Sequence, residues 1–516
     1  MPYHPEIVTL ADMVRIHARE RGDQVAMVFN GRETTYGALD QGAAQVAHAF
    51  LRDGLDRTTR VAYLGKNSDI YYRLLFGAVR AGGVFLCVNW RLAVPEISYI
   101  LNDSGAEYLF VEKEFLPVAK QAQAEAPGLR QIIVMEAEFE PWHADQPTHD
   151  PGVAVGPDDI VMQMYTSGTT GHPKGVLMPH GRFLALRARE GEDGPWAQWD
   201  EGEVNLVAMP FFHIGGTGWG FTGFYHGATN IILPQPDVAT IIAAIRQHAI
   251  TKVFIVPALV SAIVEEARVR PLDLRTVKTL YYGASPIPEE TLKAAIEVFG
   301  CDFVQLYGMT ETLGAVTHLP PAEHTAGGRL LSCGRAMPGV DLRIVDGEGT
   351  PLPPGKVGEI LIRTPSIMAG YWQREEATAE VLRDGWYHSG DAGYLDEDGY
   401  LFLCDRIKDM IVSGAENIYP AEVESALAAH PAVAEVAVIG VPDQKWGEAV
   451  KAVVVLRPGK QVTAEELIAF ARQRIAGYKV PKSVDFVDAL PRNASGKILK
   501  RELRRPYWEG QSRQIG

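Results

Sequence analysis

The strongest constraint on the fold is an alternation of short apolar runs with amphipathic segments that continues as far as Gly334. Residues 51–54 close an amphipathic helix, and residues 60–64 (Arg-Val-Ala-Tyr-Leu) read as a buried strand ending on Gly65. Residues 71–81 are apolar at helical spacing, and residues 84–88 form a second short apolar run. The pattern returns at 204–209, 230–233, 241–247 and 253–256. Strand-length runs separated by helix-length periodic segments predict α/β layers built on mainly parallel sheets. A chain of 516 residues is too long for a single hydrophobic core, so more than one domain is expected.

After Gly334 the texture changes to short strands set between turn pairs: Asp346-Gly347, Pro353-Pro354-Gly355, Asp384-Gly385 and Asp398-Gly399. Such spacing predicts a small β-barrel or sandwich. Pro420 then suits the first position of a helix that runs to about His430, and residues 433–439 and 450–456 read as strands. Thr463 with Glu466 forms a capping box for a helix starting near Ala464. The predicted architecture is α/β: a large N-terminal domain (1–405) of layered α/β subdomains plus a small β-barrel, a joint at 406–409, and a smaller α+β domain (410–516).

The formal charge of −15 disfavours a nucleic-acid partner, because phosphate contacts supply most of that affinity. Cys87, Cys301, Cys333 and Cys404 are far apart, with neither zinc-ligand spacing nor a disulfide pattern. The N-terminus lacks a basic stretch followed by an apolar run, and no uncharged apolar stretch could span a bilayer. These features predict a cytoplasmic protein with no integral membrane segment.

One segment carries phosphate chemistry: Tyr165-Thr-Ser-Gly-Thr-Thr-Gly-His-Pro-Lys-Gly175. Its glycines let backbone N–H groups form a nest for anionic oxygens, its hydroxyls add donors, and Lys174 adds charge. Pro173 precedes the lysine, so it is not a Walker A loop. The bland alternative, a solvated Ser/Thr/Gly hairpin, suits a generic run better than this string.

The string resembles the AMP-binding signature of the adenylate-forming superfamily: acyl- and aryl-CoA synthetases, peptide-synthetase adenylation domains and beetle luciferases. Four further strings fit that family in order. Tyr307-Gly-Met-Thr-Glu311 resembles its second nucleotide motif and Trp386-Tyr-His-Ser-Gly-Asp391 its ribose motif. Asp405-Arg-Ile-Lys-Asp409 resembles its hinge, and Pro491-Arg-Asn-Ala-Ser-Gly-Lys497 its catalytic-lysine loop. The hinge and C-terminal strings are most similar to bacterial fatty-acyl-CoA and aryl-CoA synthetases.

The resemblance implies a carboxylic acid–thiol ligase using ATP, Mg²⁺ and coenzyme A, with a mobile C-terminal domain. Thr166, Ser167, Gly168, Thr169, Thr170 and Lys174 would hold the β- and γ-phosphates, Thr310 the α-phosphate, and Glu311 the metal. Gly283, Ala284 and Ser285 would approach adenine, Tyr307 would stack on it, and Asp391 and Arg406 would meet the ribose. Lys497 would bridge carboxylate and α-phosphate, and Lys408 would be the pivot of domain rotation. Gly414, Ala415 and Glu416 would flank the pantetheine, with Ala415 where the family usually has glycine. Trp446, Tyr478, Lys479 and Arg91 are candidates for the CoA nucleotide, and each is read equally well as packing or a solvated charge. Many relatives are dimers, which makes a homodimer an expectation by resemblance alone.

Met209-Pro-Phe-Phe-His-Ile-Gly-Gly-Thr-Gly-Trp219-Gly would line the acid pocket, with His213 at its carboxylate end; plain helix packing is the competing reading of the glycines. No aspartate is identified there to hold an α-ammonium, so a fatty or aryl acid is favoured over an amino acid. Two other outcomes stay open: transfer to a carrier protein instead of CoA, and a non-catalytic nucleotide-binding relative.

Overall fold

The computed structural model describes residues 4–166, 172–285, 287–325, 329–406, 409–413, 416–443, 446–492 and 498–509. Among them, four sheets form. The first has nine strands in the order Arg335–Ala336, Gly314–Leu319, Asp302–Met309, Thr279–Gly283, Lys252–Ile255, Val204–Val207, Thr229–Ile232, Val25–Phe29 and Arg32–Thr35. Its interior pairings are parallel and its outer ones antiparallel. The second has seven, from Gly370–Tyr371 through Lys174–Pro179, Ile160–Thr166, Val84–Val88, Arg60–Leu64 and Ala106–Val111 to Gln131–Val134.

The helices Asp69–Arg80 and Ile214–Tyr225 are buried on nearly every side, the second as its all-round apolar sequence requires. Their contact explains part of the glycine run: a Cβ on Gly220 would clash with the Tyr72 hydroxyl. Gly216 and Gly223 likewise press against Pro210 and Asn230. For these three glycines close packing is the right reading.

The turn-rich stretch forms a five-stranded antiparallel sheet, a half-barrel in which Trp386–Leu395 pairs with Gly358–Arg363, Leu382–Arg383 and Leu401–Arg406. Two pieces of that stretch leave it: Arg335–Ala336 edges the first sheet and Gly370–Tyr371 the second. The C-terminal part has its own core and five-stranded sheet, centred on the hairpin Val433–Asp443 and Gly447–Leu456. The Thr463 capping box is present as expected. Among the described residues no helix is long and apolar enough to cross a membrane.

Candidate active site

Three sheets deliver the candidate residues to one place. Strand Ile160–Thr166 pairs with Lys174–Pro179 so that Thr166 lies opposite Lys174 across the glycine-rich loop. The loop's flanks are anchored around Asp103, which accepts the Tyr165 hydroxyl at 2.7 Å and pairs with Arg374 at 2.7 Å, while its backbone carbonyl accepts the Trp372 indole at 3.0 Å. His172 stacks on Tyr99 with ring centroids 4.7 Å apart. Ser167, Gly168, Thr169 and Thr170 lie outside the described residues.

Glu311 sits in the turn between Asp302–Met309 and Gly314–Leu319. Thr312 clamps that turn: its hydroxyl accepts from the Met309 N–H at 3.0 Å and donates to the Gly314 carbonyl at 2.8 Å. Beside it, the Met368 N–H donates to the Glu311 carbonyl at 2.8 Å. The Tyr371 hydroxyl donates to Glu311 Oε1 at 2.9 Å, and Lys174 Nζ lies 4.9 Å from the centroid of the same ring. One tyrosine therefore ties the loop lysine to the acidic turn. Its short strand pairs with Val176 and Leu177, which fixes where that ring stands.

The third sheet supplies Asp391. It is buried, and its Oδ2 accepts the Tyr307 hydroxyl at 2.9 Å. The preceding Ser389 accepts the Asp391 N–H at 3.0 Å, and Gly390 has φ +67°, so the carboxylate is set by a tight local turn. Burial and the neighbouring Asp391 push the Tyr307 phenol well above its ordinary range, which keeps it a proton donor. The resemblance expects the Tyr307 ring to stack on adenine; the structure shows its hydroxyl bonded to Asp391, the ribose candidate.

Gly283 ends its strand with Leu306 close beside it, where a Cβ would strike the Leu306 carbonyl. Ala284 follows at φ +66°, a left-handed conformation, and both Ala284 and Ser285 are exposed. His213 caps the buried helix Ile214–Tyr225. Burial, with Arg91 nearby, pushes its imidazole down to about 4, and its Nε2 is buried without a hydrogen-bond partner. A neutral imidazole in that position offers a polar contact and no formal charge. Arg91 itself lies over the Trp90 and Phe212 rings, at 4.8 and 5.8 Å.

In the C-terminal part, Ser413 pairs with Gly447, next to exposed Trp446. Lys479 bonds to Glu422 at 2.7 Å, and Tyr478 is exposed. Arg492 and Ile498 bridge across the 493–497 segment. Asp409, at the joint, accepts Arg504 at 2.9 Å. Lys408, Gly414, Ala415 and Lys497 lie outside the described residues, as do the side chains of Arg406 and Glu416. The sequence reading missed Tyr371, Asp103, Thr312 and Arg504. Only Gly370-Tyr371-Trp372, an aromatic pair after glycine in a turn-rich stretch, gave a usable signal.

The donor set fits a magnesium–nucleotide complex. Among the described residues no three His, Cys, Asp or Glu side chains are grouped to hold a metal unaided. One fixed carboxylate beside a lysine suits an ion that brings phosphate oxygens and water with it. The AMP-binding enzyme family profile matches residues 14–372, and its C-terminal domain profile matches residues 422–497. The chain belongs to the AMP-binding enzyme family. It is 44% identical over 518 residues to a fatty acid–[acyl-carrier-protein] ligase of Streptomyces coeruleorubidus, covering 99% of each chain. It is 42% identical to a feruloyl-CoA synthase of an Amycolatopsis species, covering 95% of this chain and 97% of that one. The solved anthranilate CoA ligase bound to anthranoyl-AMP superposes with a TM-score of 0.90 at 28% identity, covering 98% of both chains.

Proposed function

We propose that the protein is an AMP-forming acid–thiol ligase. The acid's carboxylate attacks the α-phosphorus of ATP, forming an acyl-adenylate and releasing pyrophosphate. The coenzyme A thiolate then attacks the acyl carbon and expels AMP. The observation that carries this reading is the convergence of Lys174, Tyr371 and Glu311 on one side and Tyr307 with Asp391 on the other. Adenylation brings two anionic groups together, so the site must neutralise charge on the phosphates and hold the nucleotide rigidly.

In this scheme Thr166–Thr170 and Lys174 cradle the outer phosphates, and Thr310 donates to the α-phosphate. Glu311 holds Mg²⁺, which supplies charge neutralisation at the phosphates when bound. Asp391 accepts both ribose hydroxyls, fixed by Tyr307. His213 meets the acid's carboxylate as a neutral hydrogen-bonding group. Lys497 acts in adenylation only, and the domain 410–516 rotates about 406–409 to admit the thiol beside Gly414, Ala415 and Trp446. The ion pair between Arg504 and Asp409 supports a hinge whose outer edge moves with the C-terminal domain. The few cysteines, far apart in sequence and without a disulfide pattern, support a cytoplasmic, reducing location.

The relatives' names divide on the acyl acceptor. The 44%-identical relative is named for a carrier protein, and Ala415 stands where the resemblance expects glycine, so transfer to a carrier pantetheine is the second reading. Acid-dependent pyrophosphate release that yields acyl-CoA with free CoA supports the first. Release with no thioester until an acyl-carrier protein is added supports the second.

A further inference from the structure

We infer that Asp103 is a positioning residue for the outer phosphates of the nucleotide: from the helix Val94–Ser104, together with Tyr99, it holds both flanks of the glycine-rich loop. The inference rests on the adenylating reading above, in which Thr166 and Lys174 meet those phosphates.

The two strands that carry the loop have a front and a rear. Thr166 pairs with Lys174, and Tyr165 with Gly175. Neighbours along a strand point to opposite faces, so Thr166 and Lys174 share the front and Tyr165 leaves from the rear. There the side chains close a circuit. The Tyr165 hydroxyl donates to Asp103 Oδ2 at 2.7 Å and accepts from the Gln163 amide at 3.0 Å. Gln163 accepts Arg60 at 3.4 Å, and the Arg60 guanidinium lies 3.8 Å from the centroid of the Trp372 ring. The Trp372 indole N–H then returns to the Asp103 carbonyl at 3.0 Å. Gly175 is bare on account of this circuit: a Cβ there would stand 2.5 Å from the Gln163 amide nitrogen. Gln163 is fully buried, so its amide could not give way without breaking the bond to Tyr165. Burial and Asp103 push the Tyr165 phenol well above its ordinary range, which keeps it the donor to the carboxylate.

The other flank is held from the same helix, one turn earlier. The Tyr99 hydroxyl lies 3.2 Å from the Pro173 carbonyl and 3.3 Å from Asp103 Oδ1, a donor shared between them. The stacking of His172 on the Tyr99 ring adds a second hold on that flank. Arg374 donates to Asp103 Oδ1 at 2.7 Å and to the Tyr99 hydroxyl at 3.3 Å. It thereby cancels a negative charge that would otherwise stand behind an anion-binding loop and oppose its ligand. Glycine-rich backbone loses the most freedom on being ordered, and fixing its ends in advance lowers the cost of closing on a ligand. The carboxylate is needed for this because it offers two oxygens to converging donors. An asparagine offers one, so either Tyr165 or Arg374 would face an N–H.

The test measures Mg·ATP and AMP binding to the full chain by calorimetry, for the wild type, Asp103→Asn and Tyr165→Phe, with ATP–pyrophosphate exchange alongside. Loss of a hydrogen bond to a charged group should weaken Mg·ATP binding to Asp103→Asn by about tenfold. AMP lacks the outer phosphates and should bind each variant as it binds the wild type. In exchange, KM for ATP should rise while KM for the acid stays unchanged. Tyr165→Phe removes one hydroxyl and no charge, and should show the same selective loss of Mg·ATP over AMP. A general loosening of the fold would weaken both nucleotides together. That result, or unchanged Mg·ATP affinity in a folded variant, would overturn the inference while leaving adenylation standing. Wild-type binding of ATP without exchange for any acid of a wide panel would overturn the adenylating reading, and the ratio of ATP to AMP affinity would still decide the role of Asp103.

Discussion

Replacing Tyr371 with phenylalanine removes one hydroxyl and nothing else, and should weaken use of Mg·ATP. The ring stays, so the strand pairing with Val176 and the 4.9 Å approach of Lys174 are kept. What disappears is the 2.9 Å donation to Glu311 Oε1, together with the hydroxyl's bond to Tyr387. A hydrogen bond to a charged group is worth about 1.5–3 kcal/mol. Freezing an unrestrained glutamate costs up to roughly 2 kcal/mol of rotamer freedom, which the tyrosine otherwise meets in advance. An opposing effect exists, since a carboxylate relieved of a donor binds a cation more strongly, but orientation dominates where the ion is shared with phosphate. At 1.4 kcal/mol per tenfold, kcat/KM for Mg·ATP should fall roughly 10- to 100-fold. The assay is ATP–pyrophosphate exchange at saturating acid, titrated in Mg²⁺ and ATP, alongside calorimetric Mg·ATP binding. The expected pattern is a displaced Mg²⁺ activation curve with little loss of thermal stability. An unchanged curve and unchanged binding would refute the assignment of Tyr371 as a positioning residue for Glu311.

Lys497→Ala should reduce adenylation by about 10²-fold or more, the scale of a lost transition-state donor, while thiol transfer from preformed adenylate stays near normal; equal losses in both would remove Lys497 from its role. Lys408→Pro should impair one half-reaction preferentially, and normal rates in both would show that rotation about 406–409 is not required. Burial pushes His17, His180, His213, His318 and His324 down to about 4 from 6.5. The unfolded chain takes up protons that these sites refuse, so stability should be flat above pH 6.5 and fall as pH drops towards 4. At pH 5 the cost is about 2 kcal/mol for each histidine. Denaturant midpoints that do not move between pH 7 and pH 5 would contradict that burial.

Local signals carried much of the fold. Residues 60–64 and 84–88 are strands with the predicted bounds, because a short, largely apolar run bounded by glycine at one end has few other uses. Pro420 and the Thr463 capping box mark helix starts as read, since both act within one turn. Long-range placement was less legible. That Gly370–Tyr371 crosses from the turn-rich stretch to the Lys174 strand depends on sheet pairing between residues nearly two hundred positions apart, which no local period encodes. The same holds for Tyr307 reaching Asp391, and for Asp103 gathering Tyr165, Trp372 and Arg374. The motif strings identified which residues to watch; their mutual hydrogen bonds had to come from the fold. The glycines after His213 suit either a pocket or close packing, and the contacts are those of packing: Gly220 abuts Tyr72, and a Cβ on Gly215 would stand 3.1 Å from Phe254.

The central claim is most directly tested by measuring carboxylate-dependent pyrophosphate release over a panel of aryl, fatty and amino acids, with and without coenzyme A. The predicted result is release with one class of acid, accompanied by AMP and acyl-CoA in equal amounts once CoA is present. ATP binding without pyrophosphate release for every acid would contradict it.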